Sequence, residues 1–152
     1  MRTCNIFWLV LITLTLFQLP TLAEAQLNKD VLHIQTAKKS IALTVELAVT
    51  PEQIKKGLMF RRSLNKNSGM LFLFKEEIYA DFWMKNTYIP LDILFIDKQG
   101  VIITMVENAE PLSTRLIPSG GKIKGVLELA GGSAAKLHIA TGDKVIYRHF
   151  HE

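Results

Sequence analysis

After residue 25 this chain contains no cysteine. Its only one, Cys4, lies in the N-terminal segment, so the rest of the chain can form no disulfide, thiolate metal site or thiol nucleophile. The spacings of the common catalytic signatures are missing too: there is no G-x-S-x-G, no H-E-x-x-H and no G-x-G-x-x-G. Ser119-Gly120-Gly121-Lys122 lacks both the phosphate-loop spacing and a helix pattern behind it. No arginine-rich stripe or aromatic-basic alternation is present, so nucleic acid is not an expected partner. The charge excess is mild, 18 basic against 14 acidic side chains for a net charge of +4, a weak bias toward anionic surfaces.

Long apolar runs are also scarce. The one at the N-terminus, Ile6 to Phe17, follows the single basic residue Arg2 and is broken by Pro20, and Ala23-Glu24-Ala25 follows with small residues at the −3 and −1 positions. Basic start, short apolar centre and A-x-A end form a secretory signal pattern. The run falls short of the ~20 residues that a membrane-spanning helix needs. The expectation is a signal peptide over residues 1–25, cleaved after Ala25, and a single globular domain over residues 26–152. That domain is expected to be exported, periplasmic or extracellular, with no transmembrane segment once the signal is removed.

Local pattern supplies the elements. Ile41, Leu43, Val45, Leu47 and Val49 alternate with Ala42, Thr44, Glu46 and Ala48, the period-two signature of a half-buried strand. Val31–Thr36 is its expected partner across Lys38-Lys39-Ser40. Thr50-Pro51-Glu52-Gln53 opens a short helix, with Thr50 as N-cap and Pro51 at the first helical position. Leu91–Ile96 is apolar on both faces apart from Asp92, which predicts a central strand. Asp97-Lys98-Gln99-Gly100 turns it into Val101–Val106. Further strands are expected at Met70–Phe74, Ile123–Leu129 and Lys144–Phe150. A second helix is expected at Ser133–Ala140, closed by Gly142. With about seven strands, two short helices and no βαβ rhythm, the fold class is α+β: a β-rich single domain on a strongly twisted or barrel-like mixed sheet.

Six blocks stand out in order: Gly57-Leu58-Met59-Phe60-Arg61, Gly69-Met70-Leu71-Phe72, Phe82-Trp83-Met84-Lys85-Asn86-Thr87, Ile89–Asp97, Val126–Gly131 and Gly142-Asp143-Lys144-Val145. The series resembles the domain-of-unknown-function 192 family, also catalogued as uncharacterised protein family 0127, over essentially all of residues 26–152. The resemblance implies a compact β-rich domain, often carried behind a signal peptide in bacteria, and no particular activity.

The densest mixture of polar and aromatic groups gives the candidate ligand-binding residues Arg61, Trp83, Lys85, Asn86, Thr87, Asp92 and Glu128. Trp83 offers a stacking face, and the Lys, Asn and Thr groups offer donors for a small polar ligand such as a sugar or carboxylate. On structural grounds the same residues would instead serve the core and a turn, with Asp92 capping backbone or pairing with Lys85 or Arg61. Glu128 lies opposite in phase to Leu127 and Leu129, facing water or approaching Arg61 or Lys85. No catalytic residue, metal ligand or cofactor is assigned. Two alternatives remain: a hydrolase or lyase built on Asp92 and Glu128, and a copper carrier using Met59, Met70, Met84 and Met105. His149 and His151 would share one face of a terminal strand, whereas His33 and His138 are scattered. The favoured reading is an exported accessory or binding protein of the cell envelope, holding a small polar ligand or a polypeptide.

Overall fold

A computed structural model describes residues 27–150. The expected signal peptide and cleavage point, Cys4 and His151 lie outside the described residues. Nine strands and two α-helices follow one another: β1 Lys29–Gln35, β2 Ser40–Ala48, α1 Pro51–Lys56, β3 Ser68–Ile78, β4 Asp81–Phe82, β5 Leu91–Ile96, β6 Ile102–Ala109, β7 Ile117–Pro118, β8 Ile123–Ala130, α2 Ser133–Leu137 and β9 Lys144–Ile146. A 3-10 turn, Arg148–Phe150, ends the described chain.

Seven strands form one mixed sheet in the order β6-β5-β8-β3-β2-β1-β9, while β4 and β7 pair separately. β1 and β2 form the expected hairpin, with Gln35 opposite Ser40. Thr36 closes its turn, donating its hydroxyl to the Lys39 carbonyl at 2.9 Å. β2 and β3 run parallel, so the chain must cross over between them. Helix α1 lies within that crossover, and its start is set by side chains: Thr50 Oγ1 accepts from the Gln53 amide, and Gln53 Oε1 accepts from the Thr50 amide, a reciprocal capping box.

The sheet curls, and its two edges meet where Val101 bridges to Lys144. All seven strands contribute to one apolar cluster, which includes Leu32, Leu43, Leu71, Leu94, Ile102, Leu127 and Val145. This is the concave side of a barrel-like sheet. A second cluster draws mainly on the middle strands (Met70, Phe72, Leu91, Ile93, Phe95 and Val126) with Leu58 and Met84 from the connections. β5 is buried at every position because it has a core on each face, which is why its sequence shows no alternation. On the convex side the edge-on rings Phe72, Phe82 and Phe95 stack in series, with centroids 5.3 and 5.7 Å apart.

Two expected boundaries are corrected. The last strand ends at Ile146, not Phe150, because Phe150 turns back to fill the concave core against Gly125. A Cβ on Gly125 would come within 2.9 Å of the Phe150 ring. Helix α2 stops at Leu137, where His138 takes a left-handed conformation (φ 58°) and ends the helix. Gly142 (φ 95°) instead serves the turn before β9.

Candidate functional site

The candidate residues divide between the two faces of the sheet. Asp92 points into the concave core and is fully buried. It pairs with neither Lys85 nor Arg61. Its Oδ1 accepts from the amides of Asn108 (2.8 Å) and Gly132 (3.0 Å), and its Oδ2 accepts from the amide of Ala134 (2.8 Å). Gly132 is the N-cap of α2 and has no side chain to cap it, so Asp92 performs the capping from a neighbouring strand. Three amide donors satisfy the carboxylate. Its role is structural.

Arg61 also leaves the site. Its guanidinium holds Glu46 of β2 by two parallel contacts, Nη1 to Oε1 at 2.8 Å and Nη2 to Oε2, the bidentate geometry that arginine favours with carboxylates.

Glu128 lies on the convex side and does not face water. It is 5% exposed and sits between Met70 of β3 and Ile93 of β5 in register. Its Oε2 has no hydrogen-bond partner. Desolvation alone pushes its carboxyl up to about 8, so the neutral acid predominates at pH 7. This correction has a plain cause. β8 is covered on both faces, so alternation with Leu127 and Leu129 separates two cores and does not separate core from solvent.

Glu128 lines a cleft of about 230 Å³ together with Ile54, Gly57, Leu58, Met59, Phe72, Phe82, Trp83 and Thr87, with Lys55, Lys56 and Asp81 also on its walls. Trp83 is 42% exposed and carries the Lys85 ammonium 5.2 Å from its ring centroid, a cation–π contact. Thr87 is buried, and its hydroxyl makes a long 3.4 Å contact to the Lys85 carbonyl. Asn86 turns the chain in a left-handed conformation (φ 58°) and directs its amide at the Met59 sulfur, 3.9 Å away. Of the seven candidates, the structure therefore gathers Trp83, Thr87 and Glu128 at one cleft. Lys85 and Asn86 are placed beside it, and Arg61 and Asp92 elsewhere.

The proposed pairing of Asp92 with Glu128 for acid–base work fails, because the sheet lies between them. The four methionines divide between the faces, with Met59 lining the cleft on the convex side. Met70 and Met84 are buried in the convex cluster, and Met105 packs against the concave one. Gly57, Leu58 and Met59 line the cleft, though the sequence marked Gly57 and Leu58 only as parts of a motif and Met59 as a motif residue and thioether. Their signal was proximity in that motif to Arg61; the approach of Gly57 to Phe72 of β3 is long-range and leaves no local trace.

These features define a class: a β-rich domain whose curled sheet carries a small, acid-floored cleft on its convex face. The chain belongs to the family DUF192, described as "Uncharacterized ACR", whose match spans residues 32–147. Solved structures similar to it include the following two. One, from Sinorhizobium meliloti 1021 and provisionally named a transcription regulator, is 44% identical, with 81% of this chain and 96% of that one covered at a TM-score of 0.79. The other, a protein of unknown function from Novosphingobium aromaticivorans DSM 12444, is 37% identical, with 82% and 89% covered at a TM-score of 0.79. No curated protein matches the chain.

Proposed function

We propose that this is an exported binding domain of the cell envelope that holds a small polar ligand in the Glu128 cleft. One observation carries the reading: a buried carboxyl with an unpartnered oxygen lines the cleft. Leaving such a group unsatisfied costs about 1–3 kcal/mol, and a ligand that hydrogen-bonds it recovers that cost. The neutral acid offers one donor and one acceptor, Thr87 offers a hydroxyl, and Trp83 offers a face for a ring. A monosaccharide or a compound of similar size and hydroxyl content fits these groups and this volume.

The transcription-regulator name of the Sinorhizobium protein finds no support here. Helices α1 and α2 have six and five residues, and among the described residues no helix pair suits the DNA major groove. Export rests on the N-terminal sequence pattern alone. Among the described residues no helix is long and apolar enough to cross a membrane.

Thermal unfolding of the full chain against a panel of sugars, sugar acids and short-chain hydroxy acids tests the binding reading. A ligand is expected to raise the unfolding temperature, to lose that effect in Glu128→Ala and Trp83→Ala, and to keep part of it in Glu128→Gln. A panel that shifts nothing, or a shift indifferent to both alanine variants, overturns the reading. Secretion of a fusion carrying residues 1–30, abolished by charging the Ile6–Phe17 run, tests export separately.

A further inference from the structure

Beside the cleft lies a feature that ligand binding does not use. Phe60 and Leu112 both adopt left-handed backbone conformations, φ 66° and 64°, which are uncommon for bulky residues. Both are tied to one turn: the Phe60 amide donates to the Asn86 carbonyl at 2.7 Å, and the Leu112 amide donates to the Thr87 carbonyl at 3.0 Å. The strain does not serve the core, since both side chains point outward, 57% and 56% exposed. Strain of this kind clusters at functional sites.

The surroundings indicate what covers these side chains. Tyr88 packs edge-on to Phe60, Trp83 precedes the same turn, and Leu116 is exposed on the Leu112 loop. Segments 58–62, 82–88 and 110–116 thus present a patch of aromatic and aliphatic tips. Their charges are one-sided. Arg61 is held by Glu46, which leaves Arg62, Lys85 and Arg115 against the single acid Glu110. Arg62 lies over Tyr88, and Lys85 lies over Trp83. Trp and Tyr with cationic neighbours suit the interface of a bilayer, where a ring is half apolar and half wet. Phe60 and Trp83 also border concave surfaces, whereas Tyr88, Leu112 and Leu116 stand exposed on the connecting loops.

We propose that this face docks on an anionic phospholipid surface, with Phe60, Tyr88, Leu112 and Leu116 entering the interface and Arg62, Lys85 and Arg115 meeting the phosphates. Apolar insertion and headgroup attraction act together, and the second is screened by salt. The cleft opens on the same side, because Trp83 belongs to both.

Co-sedimentation of the full chain with vesicles tests this. Phosphatidylcholine vesicles containing phosphatidylglycerol should retain the protein more strongly than phosphatidylcholine alone, with retention falling as salt rises. Phe60→Ala/Leu112→Ala should weaken retention by roughly tenfold or more, and Arg62→Gln, Lys85→Gln and Arg115→Gln by about fivefold each. The charge variants keep the result interpretable if the alanine pair unfolds. Val31→Ala/Ile146→Ala, exposed on β1 and β9, should change nothing and controls for apolar area removed elsewhere on the surface. Equal retention by both vesicle types, or retention indifferent to the patch variants, overturns the proposal. So does failure to bind vesicles while an acidic polypeptide captures the chain through Phe60 and Leu112, which would mark a protein partner instead. None of these outcomes depends on whether the cleft holds a ligand.

Discussion

Ile93, the residue after Asp92, faces Glu128 across the β5–β8 pairing, yet Asp92 and Glu128 look into different cores on opposite sides of the sheet. Their fates differ accordingly. Asp92 spends both oxygens on three backbone amides, and Glu128 keeps an unpartnered oxygen at a cleft. One carboxyl holds the fold together. The other is held by the fold at a cost.

That cost makes stability depend on pH. Glu128 is raised from 4.5 to about 8 in the folded chain, so between those values the unfolded chain has lost a proton that the folded one retains. The folded state binds more protons, and its stability therefore falls as pH rises through this window. The contribution is on the order of a few kcal/mol. Glu128→Gln should flatten this dependence and be the more stable form near pH 8, as read by urea denaturation across the window.

Asp92→Asn should destabilise the domain by about 2–4 kcal/mol, since one oxygen of a three-amide acceptor is replaced by a donor facing a buried N–H. Urea unfolding measures the loss. A cost under about 0.5 kcal/mol would refute the capping role.

Leu112→Gly should leave stability unchanged or raise it by up to about 1 kcal/mol, because glycine tolerates the left-handed backbone. The same variant should weaken retention by anionic vesicles. A gain in the thermal midpoint alongside a loss in sedimentation would mark Leu112 as a residue kept for its surface.

Thr50→Ala removes one half of the capping box at α1 and should cost about 1 kcal/mol. Because α1 contributes Ile54, Lys55 and Lys56 to the cleft, any ligand found by thermal screening should bind more weakly to this variant. The check is a titration of both proteins with that ligand.

Gly125→Ala should cost several kcal/mol, because its Cβ would meet the Phe150 ring and the Phe72 carbonyl oxygen, each at 2.9 Å. Gly125→Ala combined with Phe150→Leu should recover part of the loss, measured by a double-mutant cycle in urea.

Much of this protein was legible in the sequence because it is local. The β1–β2 hairpin, the Thr50 cap and the Asp97 turn, where Asp97 Oδ1 accepts from the amides of Gln99 and Val101, involve residues within a few positions of each other. The family's motif blocks were legible as well, and so was the β-rich fold. What only the tertiary structure decided was which face each buried carboxyl looks into and what meets it there. Asp92 finds its partners 16, 40 and 42 residues away. The walls of the Glu128 cleft come from α1, the 57–59 segment after it, β3, β4 and the 83–87 turn. Alternation reports two faces but not what covers them, and on strands buried on both sides a polar residue in phase with either core reads the same until the chain has closed around it.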